Sequence, residues 1–154
     1  MAIRNIVKDG DPLLRKTSKP VLKFDEKLGE LLDDMYETML ENNGVGIAAP
    51  QIGILRRVFI VEVNNIRLEC VNPEIVKVEG EDTNVEGCLS CPGKRGYVKR
   101  PAFVTLSAYD REGFPFTITA TDYLGRAIMH ENDHLNGILF IDKVERDYKE
   151  KGEK

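Results

Sequence analysis

The sequence predicts one mixed domain of helices and antiparallel strands, on three observations. An amphipathic helical pattern fills residues 25–43, β-branched runs separated by turn residues follow it, and a second helical pattern carries the only two histidines. At 154 residues the chain has ordinary single-domain size, 1–154, and can bury a core. With 42% hydrophobic and 31% charged residues it has a globular balance, and a net charge of -4 argues against general nucleic-acid affinity. No repeat is visible, and the charged tail at 143–154 reads as frayed rather than packed. The longest apolar runs are strand-sized. The opening Met1-Ala2-Ile3-Arg4 lacks a signal-peptide pattern, so the expectation is cytoplasmic with no membrane association. Three cysteines fit reduced thiols or metal ligands better than a disulfide framework.

In chain order, Gly10-Asp11-Pro12-Leu13-Leu14-Arg15 reads as a turn into a short helical piece, with Asp11 as N-cap and Pro12 first in the helix. In the helix at 25–43, Leu28, Leu31, Leu32, Met35 and Met39 form the apolar stripe, and Asn42-Asn43-Gly44 ends it. The next stretch, Gly44-Val45-Gly46-Ile47-Ala48-Ala49-Pro50-Gln51, contains a Gly-x-Gly-x-x-Ala pattern. A dinucleotide site needs a strand before that pattern and a helix after it. Here a helix precedes and Pro50 blocks one that would follow. It reads instead as a loop whose small residues let something approach the backbone closely, with Gln51 delivered at its end, or as a tight helix-to-strand connection. Runs at 57–63, 67–72 and 75–81, separated by Asn64-Asn65 and Asn72-Pro73, predict an antiparallel meander in which Cys70 packs as a small hydrophobe. Strands at 103–109 and 114–119 flank a turn at Asp110-Arg111-Glu112-Gly113 and lead into the histidine helix.

That helix contains His130-Glu131-Asn132-Asp133-His134, ended by Gly137. Residues four apart share a helix face, so both imidazoles can reach one metal ion, and the intervening Glu can take a proton from bound water. A catalytic ion of this type needs one more protein ligand. The extended form of the motif would place it at position 140, which is Phe. Glu145 and Glu150 are downstream candidates within the charged tail, so an upstream ligand is favoured. Glu86-Gly87-Cys88-Leu89-Ser90-Cys91 offers two thiols. Used together with both histidines they would make a closed Cys2His2 site, structural and without catalysis.

Taken together, Gly44-Val45-Gly46-Ile47-Ala48-Ala49-Pro50-Gln51, Glu86-Gly87-Cys88-Leu89-Ser90 and the histidine pentapeptide resemble peptide deformylases in content, order and spacing. The resemblance covers nearly the whole chain. It implies an α+β fold with antiparallel sheets packed around a central metal-binding helix. It also implies hydrolysis of the formyl group from the N-terminal formylmethionine of new polypeptides, releasing formate. Cys88, His130 and His134 would be the metal ligands, with Fe2+ in the cell and Zn2+, Ni2+ or Co2+ able to take its place. Glu131 would move the proton, while the Gln51 amide and the Leu89 backbone N–H would face the oxyanion. Gly46 would contact the peptide through its backbone and Arg95 through its side chain. Val45, Tyr123 and Ala127 would line the methionine pocket, and Glu86 would pair with Arg100 to brace the Cys88 loop. The implied partners are N-formylmethionyl nascent chains near the ribosome, met by a monomer with no nucleic-acid site of its own. The chain departs from the family pattern at Cys91, where an aliphatic residue is usual, at Asp122-Tyr123 and at Met129. A noncatalytic Cys2His2 protein, a broader metallopeptidase and a deformylase-like fold without activity are the competing readings.

Overall fold

A computed structural model of the chain describes residues 2–148. Asp11 caps a short 3-10 helix, Pro12–Arg15, accepting a hydrogen bond from the Leu13 N–H, as the sequence predicts. Helix α1, Glu26–Glu41, follows, capped by the Asp25 side chain on the Leu28 N–H. It buries Leu28, Leu32, Met35 and Met39. Asn43 takes the left-handed conformation, φ 57°, and the Gly44 N–H closes back on the Met39 carbonyl at 2.9 Å, which ends the helix.

Five strands, β1 (Gly46–Ala48), β2 (Val58–Val63), β3 (Ile66–Glu79), β6 (Phe103–Tyr109) and β7 (Pro115–Thr121), form an antiparallel sheet in the order β1-β2-β3-β6-β7. Strand β2 alternates between two cores. Val58 and Ile60 pack toward the α1 stripe, whereas Phe59, Val61 and Val63 join Leu106, Ile128 and Leu135 beneath helix α2, Asp122–Leu135. The histidine helix is thus held against one face of the sheet by a buried apolar core. Cys70 is fully buried there as a small hydrophobe.

A second sheet, in the order β4-β5-β8, joins β4 (Asp82–Glu86), β5 (Gly96–Arg100) and β8 (Val144–Asp147). It corrects the expectation of a frayed tail: residues 144–147 pair with β5, while 149–154 lie outside the described residues. The predicted turn at Asn72-Pro73 is also corrected. Both runs belong to the single strand β3, and Asn72 adopts φ 49° at a register shift while its side-chain amide holds the N–H and carbonyl of Val21 at 2.8 and 2.9 Å. The small-residue stretch is not a loop throughout. Gly46–Ala48 pairs with β2 as an edge strand, and Ala49–Ile52 forms a 3-10 turn. Among the described residues no helix is long and apolar enough to cross a membrane.

Candidate metal centre and active site

Helix α2 places His130 and His134 one turn apart, with ring centroids 5.1 Å from one another. Its end is fixed by Gly137 at φ 74°, where the Arg15 carbonyl lies so close that no side chain would fit. Cys88 comes from a different element, the turn following β4, closed by the Cys91 N–H on the Cys88 carbonyl at 3.0 Å. Its Sγ stands 3.3 Å from His134 Nε2. One donor atom from each of Cys88, His130 and His134 lies within 4.8 Å of the others, a sulfur and nitrogen set suited to a divalent transition ion.

Cys91 is not in that group. It is 1% exposed and packs with Leu14, Val98, Leu139 and Phe140. Of the downstream acids considered for the third ligand, Glu145 sits on β8, half exposed beside Lys99, and Glu150 lies outside the described residues.

Beside His130 a buried ionic network fixes the orientation of its ring. Glu86 Oε1 accepts from His130 Nδ1 at 2.9 Å and from Arg100 at 2.8 Å, and Oε2 accepts from Arg100 at 2.8 Å and Arg126 at 2.7 Å. Arg100 also reaches Asp133 at 2.6 Å, and Arg126 donates to the carbonyls of Val98 and Asp82 at 2.9 and 2.8 Å. Burial pushes the Glu86 carboxyl up, but Arg100 and His130 together hold it far below the usual carboxylate range. With Nδ1 engaged by a carboxylate, His130 turns Nε2 toward the other donors. The Glu86–Arg100 pair was predicted. Arg126, Asp133 and Ser90 were not, although Arg126 sits four residues ahead of His130 on the same helix face, which was the available signal.

A cavity of about 480 Å³ opens in front. Gln51, Cys88, Leu89, His130 and Glu131 line it, as do the predicted contact residues Val45, Gly46, Arg95, Tyr123 and Ala127. His134 is the one predicted site residue that lies behind this lining. The Gln51 Oε1 accepts the Ala48 N–H at 2.9 Å, which turns its amide N–H groups toward Ser90 Oγ at 3.2 Å and Cys88 Sγ at 3.5 Å. A Cβ on Gly46 would stand 2.5 Å from Glu131 Oε2, so only glycine leaves room for that carboxylate. Glu131 is 5% exposed, and its Oε1 has no hydrogen-bond partner among the described residues. Burial raises its carboxyl to about 7. For His130 burial pulls downward, yet the charge of Glu131 and the bond to Glu86 leave it raised, while His134 is lowered by burial and by its neighbouring histidine. The Cys88 thiol is raised by its hydrogen bond with the Cys91 side chain, by burial and by the Glu131 charge.

The family model for polypeptide deformylase matches residues 3–150. The chain belongs to that family. A peptide deformylase of Heliobacterium modesticaldum is 54% identical over 96% of this chain and 97% of its own length. Among solved structures, a Legionella pneumophila peptide deformylase is 46% identical with TM-score 0.90, covering 93% of this chain and 86% of the other. The Thermotoga maritima enzyme superposes with TM-score 0.92 at 39% identity, covering 94% and 99%. The α+β fold expected of a deformylase is therefore the fold found. The enzyme is a deformylase, a metal-dependent hydrolase that removes the N-formyl group from nascent polypeptides.

Proposed function

We propose that this deformylase performs its reaction with Cys88, His130 and His134 holding one divalent ion, and with Glu131 as the only proton-transferring side chain. The observation that carries the assignment is the meeting of three soft and borderline donors within 4.8 Å beside a buried carboxylate that has an unpartnered oxygen. A bound ion supplies positive charge that stabilises the Cys88 thiolate and makes a water molecule acidic enough to attack at neutral pH. Glu131 takes the proton of that water and returns it to the departing amine as the formyl carbon–nitrogen bond breaks. A carboxyl raised by burial is a stronger base than one in water, and a neighbouring cation draws it back down.

The developing oxyanion is met by the Gln51 amide and the Leu89 backbone N–H. Gln51 is aimed before substrate arrives because its carbonyl oxygen is already tied to the Ala48 N–H. Gly46 lies on the sheet-edge strand β1, where a peptide can run alongside the backbone, and the Arg95 side chain at the cavity wall contacts the peptide. Val45, Tyr123 and Ala127 enclose the methionine side chain, with Tyr123 and Ala127 one helical turn apart. The natural ion is Fe2+, with Zn2+, Ni2+ or Co2+ able to occupy the same donors. The enzyme works as a cytoplasmic monomer on formylmethionyl chains emerging near the ribosome, and it needs no nucleic-acid site.

Metal content and formate release, measured together under anaerobic conditions, test this reading against a closed four-ligand site. Cys88→Ser is expected to lose the ion and the activity, because a hydroxyl is a poor replacement for a thiolate. Cys91→Val should keep both, since the position lies in an apolar cluster outside the donor group. Loss of the ion from Cys91→Val would overturn the open-site assignment.

A further inference from the structure

Neither the donor set nor the proton transfer uses Cys91, yet its position is unlike that of the other spare thiol. Cys70 is sealed in the sheet core, whereas Cys91 lines the catalytic cavity together with Cys88. The two are joined by a hydrogen-bonded four-residue turn, Cys91 N–H to Cys88 carbonyl at 3.0 Å. Such a turn holds the first and fourth Cα atoms within about 7 Å, the range a disulfide spans without moving the backbone. From this geometry we infer that Cys88 and Cys91 are a redox pair, which a hydroperoxide closes into a disulfide inside the active site.

The chemistry needs only one of the two sulfurs to be reachable. Cys88 is half-buried at the cavity wall, where a molecule as small as a peroxide can arrive. Its thiolate attacks the O–O bond, giving a sulfenic acid and hydroxide. The Cys91 thiol then attacks the sulfenic sulfur, forming the S–S bond and releasing water, so that two thiols supply the two electrons that reduce the peroxide. Cys91 acts within the turn, so its burial is no obstacle. The disulfide withdraws Cys88 from metal binding and leaves two histidines to hold the ion. That last consequence rests on the proposed ligand set; the thiol pairing itself does not. An aliphatic residue at 91 would leave the sulfenic acid without a partner, and further peroxide would carry Cys88 on to sulfinic acid, which thiols do not reverse. The pair thus trades irreversible damage for a reversible pause.

The enzyme loaded with Zn2+, which peroxide does not oxidise, is treated anaerobically with hydrogen peroxide at about three equivalents, enough to carry an unpartnered thiol past sulfenic to sulfinic acid, and mapped by mass spectrometry, with the ion followed in the filtrate. The expected peptide spans both cysteines and is lighter by two hydrogens. The ion should pass into the filtrate, and dithiothreitol with fresh ion should restore formate release. Cys91→Val should instead accumulate sulfinic acid at Cys88 and recover nothing. Sulfinic acid at Cys88 of the wild type, with Cys91 still open to alkylation, would overturn the proposal even if the variant failed to fold. A disulfide that formed without release of the ion would support the pair and remove Cys88 from the ligand set.

Discussion

Glu86 and Glu131 are buried to the same degree, 7% and 5% exposed, and both line the cavity beside His130. Glu86 receives hydrogen bonds on both oxygens from Arg100, Arg126 and His130, and stays ionised far below the usual carboxylate range. Glu131 faces the cavity with Oε1 unpartnered, and burial lifts it to about 7. Burial alone therefore does not decide what a carboxylate does; the donors around it do. Around Glu86, charge is fixed so that the His130 ring is held. Around Glu131, one oxygen is left without a donor among the described residues.

The sharpest way to break this contrast is Glu131→Gln. The amide is nearly isosteric and still fits beside Gly46, but it cannot take a proton from water. Deformylation should fall by about 100-fold to 10,000-fold, the usual contribution of a general base. The ion should remain, because no ligand is touched. Formate release at the wild-type rate would transfer the proton to some other group.

Stability against pH sharpens the same contrast. In enzyme stripped of metal by a chelator, the folded-state value of Glu131 is about 7 against an ordinary 4.5. The folded protein then holds this proton more tightly than the unfolded chain does. The stability from Glu131 is fully present below pH 4.5 and is lost as pH rises through about 7. A shift of that size corresponds to on the order of 3 kcal/mol. Glu86 has the opposite sign: its folded value is depressed, so its contribution is present at neutral pH and lost only in strong acid. Thermal unfolding from pH 4.5 to 8 should therefore show the stripped wild type losing ground to stripped Glu131→Gln. Parallel curves would mean that Glu131 is not held protonated by its surroundings.

Much of the front of the site was legible in the sequence, because the histidine spacing, the glycine stretch and the cysteine turn are local patterns. The sheet behind it was not. Residues 82–86 read Asp-Thr-Asn-Val-Glu, with one apolar side chain and no alternation to mark a strand. They are strand only through pairing with β5 and through Arg126, contacts that span 14 to 44 positions of chain. Asn72-Pro73 misled for a similar reason. Asn-Pro is ordinarily a turn signal, but here the Asn72 side chain replaces local bonds with bonds to Val21, 51 residues away, and the strand continues. The charged 144–147 segment likewise gains its structure from β5 rather than from its own pattern.

Arg126 gives the smallest expected effect and asks how far the rear network governs the front. It leaves α2 one turn before His130 and touches both partners of the contrast's fixed side: Glu86 at 2.7 Å, and the strands β4 and β5 through the Asp82 and Val98 carbonyls. It thus ties the helix that carries the two histidines to the sheet that leads into the Cys88 turn. Arg126→Met removes that tie while Arg100 and His130 still hold Glu86. The ion should then be lost to a competing chelator about 10-fold to 100-fold more readily, the usual penalty for disturbing groups that orient ligands. Arg126→Lys can still reach Glu86 but lacks the planar fork that also satisfies two carbonyls, so it should lie between Met and wild type. Substrate KM should barely move in either variant once the ion is saturating, since the guanidinium is consumed by the network rather than offered to a peptide. Chelator competition that leaves all three proteins alike would confine Arg126 to holding the sheets together and detach the rear of the site from the metal in front.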